Sequence, residues 1–100
     1  MKLEPSKFTR LAVVCAECER RSDGPQHLDS KSANKELRRL GSDASVRVRI
    51  VRTRCLGICP RRALAAMAVG ESLPAATAEM QDEADLRVLA RYVFGASAKG

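Results

Sequence analysis

FTRLAVVC (Phe8–Cys15) and SVRVRIVRTRC (Ser45–Cys55) are the two stretches whose reading decides the fold. The first is a short apolar run rich in β-branched residues, Phe8 to Val14, and reads as a buried strand ending at a cysteine. The second alternates Val46, Val48 and Ile50 against Arg47, Arg49 and Arg52 in all but one step. That period of two, with one charged side, predicts an exposed or edge strand over Ser45 to Thr53. Between them lie a polar loop broken by Gly24-Pro25 and a helix that starts between Pro25 and Ser30. Leu28, Ala33, Leu37 and Leu40 fall near one side of that helix, and Gly41 is placed to end it. The unit is therefore β-α-β, whose right-handed crossover makes the two strands parallel and brings their C-terminal ends together.

The rest of the chain extends this unit. Ala63 to Val69 reads as a third strand, Gly70-Glu71-Ser72 as a hairpin turn, and Leu73 to Ala76 as a short fourth strand held to an edge by Pro74. A last helix begins at Thr77 or Asp82 and ends at Gly95. Its acids come first (Glu79, Asp82, Glu83, Asp85) and its bases later (Arg87, Arg91), which suits the helix dipole. Residues 1–7 are expected to form a flexible start, 8–95 a single domain and 96–100 a disordered tail. A chain of 100 residues forms one modest core. With only Phe8, Tyr92 and Phe94 aromatic, that core must come from Leu, Val, Ile and Ala.

All four cysteines sit in two tight pairs: Cys15-x2-Cys18 after the first strand and Cys55-x3-Cys59 after the second. Parallel pairing of these strands brings the pairs to one end of the sheet, although 36 residues separate Cys18 from Cys55. Four thiolates gathered this way suit zinc or an iron–sulfur cluster. Burial as small hydrophobes does not explain why all four fall at these spacings and none elsewhere. The start of the chain lacks the apolar stretch of a secretory signal, so a cytoplasmic setting is expected, where thiols stay reduced and available as ligands. The longest apolar run, Ala63 to Val69, is far short of the roughly 20 residues that cross a bilayer.

The net charge is +6, and twelve bases against four acids lie between Arg20 and Arg62. Arg20, Arg21, Arg54, Arg61 and Arg62 surround the cysteines; neighbouring cations stabilise thiolates and offset an anionic cluster. The same arginines could meet phosphates, but no aromatic lies between Phe8 and Tyr92 to stack on bases, so nucleic acid is not the expected partner.

Strand, cysteine, helix, strand, then Cys55-Leu56-Gly57-Ile58-Cys59-Pro60, a hairpin and a final helix resemble the thioredoxin-like [2Fe-2S] ferredoxins, among them the small subunit of NADH dehydrogenase and related metal-binding proteins. The similarity runs from about Arg10 to Phe94. It implies a thioredoxin-like α/β fold, β-α-β-β-β-α, with a four-stranded mixed sheet and two helices. It also implies a [2Fe-2S] cluster on Cys15, Cys55 and Cys59, and electron transfer as the activity. In that family the first pair is spaced more widely than by the Ala16 and Glu17 found here. Cys18 is the remaining candidate for the fourth ligand, and the short spacing keeps Zn2+ in the same four cysteines as the alternative. A dithiol oxidoreductase using Cys15 and Cys18 is a further reading, weakened because no helix start adjoins the pair and because Cys55 and Cys59 then have no purpose.

Whatever the centre, the basic rim predicts a redox partner with an acidic docking face. Both a monomer and a homodimer are compatible with the sequence. Hydrolytic chemistry has no support: His27, the single histidine, reads as a solvated side chain, and no Ser-His-Asp set, phosphate loop or dinucleotide fingerprint is present.

Overall fold

The computed structural model describes residues 1–42, 44–58 and 60–95. The elements run β1 (Arg10–Cys15), a 3-10 turn (Cys18–Arg20), α1 (Ser30–Leu40), β2 (Val48–Thr53), β3 (Leu64–Gly70), β4 (Leu73–Met80) and α2 (Glu83–Phe94). This is the thioredoxin-like β-α-β-β-β-α order, with a four-stranded mixed sheet and two helices. The sheet order is β2-β1-β3-β4. β1 pairs in parallel with β2, from Arg10 opposite Val48 to Cys15 opposite Thr53. β3 is antiparallel to β1, and β4 to β3.

Each helix begins where a side chain can satisfy its unpaired N–H groups. Asp29 caps α1, accepting from the Ser32 N–H at 2.8 Å and the Ser32 hydroxyl at 3.0 Å. Asp82 caps α2 through the Asp85 N–H at 3.1 Å. α2 therefore starts at Glu83 and not at Thr77; the stretch Thr77–Met80 belongs to β4, paired along β3 as far as Leu64 opposite Met80. The alternation Thr77, Glu79 exposed against Met80 buried identifies it as strand.

α1 and α2 pack on one another and on the same face of the sheet. Strand alternation sends Ala12, Val14, Ile50, Ala66, Ala68 and Met80 under them, where they meet Leu37, Leu40, Leu86, Val93 and Phe94. Three of these six strand residues are alanine, so the helices lie close to the sheet. Gly41 belongs to that close approach: it ends α1 without a left-handed turn (φ −99), and a Cβ there would stand 2.1 Å from the Phe94 ring. The hairpin likewise turns on Ser72 (φ +57), whereas Gly70 lies in β3 with a Cβ position only 2.6 Å from the Arg10 Cα. Among the described residues no helix is long and apolar enough to cross a membrane.

Gly41→Ala should lower stability by about 1–3 kcal/mol by overpacking. Combined with Phe94→Leu, it should cost less than the sum of the two changes, measured as a double-mutant cycle in urea denaturation.

Candidate metal centre

The two cysteine segments leave β1 and β2 at the same end. Cys15 closes β1 opposite Thr53, and the Ala16 N–H donates to the Thr53 carbonyl at 2.7 Å, so the pairing extends one residue beyond the strands. Cys55 follows two residues later. Cys18 opens the 3-10 turn, which packs against the start of β3. By alternation Cys15 and Ala65 belong to the face without helices, yet both are buried beneath this cover, as is Cys18; Cys55 is exposed.

Backbone N–H groups converge on the sulfurs. The burial of Cys15 pushes its thiol up, but hydrogen bonds from the Glu17, Cys18 and Leu56 N–H groups and from the Cys18 thiol outweigh it, and the net direction is down. Burial also raises Cys18, and there it prevails: the Ala65 N–H lowers it, while Cys15 and the charge of Cys55 push it further up. Gly57, at φ +80 with nothing within 4 Å of a Cβ position, turns the second loop so that its own N–H meets Cys55 Sγ at 3.3 Å. Cys15, Cys18 and Cys55 are thus close enough to act on one another. Among the described residues no three Cys, His, Asp or Glu side chains converge tightly enough to hold a metal by themselves. Cys59 lies outside the described residues. A soft metal or cluster fits this donor set by its chemistry, since thiolates with N–H donors directed at sulfur are what such centres use.

Two contacts hold the cysteine loops. Glu19, next to Cys18, accepts from the buried Ser30 N–H at 3.2 Å and makes a short hydrogen bond with the Ser30 hydroxyl. Arg52 Nε of β2 donates to the same hydroxyl at 3.0 Å. The 3-10 turn, the N-terminus of α1 and β2 therefore meet at one polar junction. On the other side the Arg62 N–H donates to the Asp23 carbonyl at 2.6 Å, tying the first cysteine loop to the second. Gly24 fits there because a Cβ would stand 2.1 Å from the Cys18 carbonyl.

The rim is basic. Arg20, Arg21, Arg54, Arg61 and Arg62 are all exposed; Arg20 pairs with Glu17 and Arg21 with Asp23, and no ion pair engages the other three among the described residues. His27 is exposed and outside this cluster.

No protein-family model, curated protein or solved structure matches the chain. The resemblance to ferredoxins therefore rests on the residues of this sequence alone.

The Glu19 junction was not legible in the sequence, because a glutamate eleven residues before its partner carries no local signal. Glu19→Ala should cost about 1–3 kcal/mol, the penalty for leaving the buried Ser30 N–H without an acceptor, while Glu19→Gln retains most of the stability. Hydrogen exchange at Ser30 reports the difference. Asp29, held below its ordinary value mainly by the Ser32 N–H and hydroxyl, contributes stability that is present above its unfolded pKa and lost as pH falls through the lower folded value. Denaturation midpoints of Asp29→Asn should accordingly fall less steeply than wild type below about pH 4.

Proposed function

We propose that this protein binds a [2Fe-2S] cluster through Cys15, Cys18, Cys55 and Cys59 and serves as an electron carrier or accessory redox module in the cytoplasm. The observation that carries the reading is the gathering of Cys15, Cys18 and Cys55 at one end of the sheet, with backbone N–H groups of five residues directed at their sulfurs. Such donors disperse thiolate charge without adding a competing ligand. Cys59, four residues beyond Cys55 in the Leu-Gly-Ile-containing loop, supplies the fourth thiol of the set.

When bound, the cluster supplies a one-electron couple. The chain's own part is to hold and shield it. Cys15 and Cys18 are the buried ligands, and Cys55 lies on the exposed side, the side from which an electron would leave. The arginine rim offsets the negative charge of the centre and favours a partner protein with an acidic face. Zn2+ in the same cysteines is the second reading, favoured by the two-residue spacing of the first pair. The dithiol reading has one observation behind it, the hydrogen-bonded Cys15–Cys18 pair with its thiols shifted in opposite directions. Against it, the thiol that would attack, Cys15, is only 1% exposed.

Protein purified without oxygen and assayed for iron, sulfide and zinc decides between these. A brown sample with about two irons and two sulfides per chain is expected, losing its colour in Cys15→Ala and Cys55→Ala. A colourless sample with one zinc selects the second reading. Metal-free protein, both from cells and after cluster reconstitution, overturns both metal readings.

A further inference from the structure

β2 is the last strand on its side of the sheet, and the hydrogen bonds at its two ends fix which backbone groups face outwards. The Arg47 carbonyl accepts from the Thr9 N–H at 3.0 Å and the Arg10 N–H at 3.3 Å, and the Thr53 carbonyl accepts from the Ala16 N–H at 2.7 Å. In a strand the N–H and C=O of one residue point to the same side, and successive residues alternate. Arg47, Arg49, Val51 and Thr53 therefore turn these groups towards β1, while Val48, Ile50 and Arg52 turn theirs away from the sheet. The Ile50 carbonyl agrees, since Arg38 of α1 donates to it at 3.1 Å. A carbonyl oxygen has two lone pairs, so that bond leaves room for a second donor. Among the described residues no backbone group pairs with the outward N–H groups of Val48, Ile50 and Arg52. A row of open backbone groups of this kind is a template for another strand.

Charge selects the occupant. Ile50 is buried under the helices, so alternation places Arg47 and Arg49 on the helix-free side of this edge and Arg52 on the helix side, where Arg38 joins it from α1. All four are exposed, and none makes an ion pair among the described residues. Glu19 and Asp29 adjoin Arg52, at the end of the strand away from Arg47. A second copy of this chain is the wrong occupant, because pairing one β2 edge with another sets arginine against arginine. The charge that repels a second copy admits an acidic strand. We propose that the outer edge of β2 takes up an extended acidic segment of a partner protein by strand addition. The segment's backbone pairs with Val48, Ile50 and Arg52, and every second side chain is a carboxylate directed at Arg47 and Arg49. The alternate side chains lie along α1, beside Arg38. Such docking rests on the reading of the basic rim as a surface for an acidic partner and gives that partner a place and a binding mode. It does not require the metal centre, because strand pairing alone forms the edge.

The test is titration of the full chain, reduced, with and without metal, with a short labelled peptide alternating glutamate and threonine. Fluorescence anisotropy should give a Kd of about 10–100 µM, and about tenfold weaker binding when lysine replaces glutamate. With the peptide bound, amide hydrogen exchange should slow about tenfold at Val48, Ile50 and Arg52. It should stay unchanged at Arg49 and Val51, whose N–H groups already face β1. Arg47→Glu and Arg49→Glu should each weaken binding about tenfold with an unchanged far-ultraviolet circular dichroism spectrum. No binding of the acidic peptide at about 1 mM overturns the proposal. Binding without the alternating protection, equal affinity for the lysine peptide, or a preference for a single-stranded oligonucleotide overturns it equally. Peptide binding by a chain that takes up no metal upholds the strand edge while removing the cluster, so the two readings fail separately.

Discussion

The parallel pairing of β1 with β2 is the constraint on which everything else depends. Both strands end in a cysteine segment, and only a parallel pair brings those ends together; an antiparallel pair would leave Cys15 and Cys55 at opposite edges of the molecule. Parallel pairing demands a crossover, and α1 is that crossover. Its N-terminus must then lie beside the cysteine loops, which is where Ser30 meets Glu19 and Arg52. The same helix, laid across β1 and β2, defines the face on which α2 packs and so the face that is left bare.

The polar junction at Ser30 and the cysteine cluster solve related problems. A buried helix terminus presents unpaired N–H groups, and Glu19 and Asp29 each supply an acceptor there. The ends of β1, β2 and β3 also present N–H groups that no strand continues to satisfy, and several of these are directed at sulfur. Cys15 and Cys18 respond in opposite directions because burial acts on both while N–H donors favour Cys15 more. Two neighbouring thiols do not both ionise readily without a cation between or beside them. The arginines of the rim are too exposed to be that cation in full, and a metal centre would be.

The period of two through Val48–Arg52, the run into Cys15 and the end of α2 at Gly95 were legible because each is local, although β2 begins at Val48 and not at Ser45. The paired spacing of the cysteines was legible for the same reason. Boundaries that tertiary contacts decide were not. β4 extends to Met80 because β3 offers it a partner that far, although Thr77 and the following acids also suit a helix start. Gly41 and Gly70 look like turn residues, yet their φ values are negative; the space each leaves is taken by Phe94 and by Arg10, which lie far away in sequence. Ser72, with no glycine's freedom, carries the left-handed position instead. Of the site, the gathering of Cys15, Cys18 and Cys55 follows from the strand pairing, while Cys59 lies outside the described residues.

Composition links the fold to its weak point. Few aromatics and an alanine-rich β3 make a thin core between the sheet and the helices, since Ala66 and Ala68 contribute little apolar area compared with leucine or phenylalanine. The larger β-branched and methionine side chains of the same strands, Val13, Val51, Met67 and Val69, are directed to the other face. Burying only the helix side leaves a substantial part of the strands' apolar surface in contact with water. A domain built this way gains most from whatever cross-links it. A centre that holds the cysteine loops together would replace chain entropy with coordination at the end of the sheet.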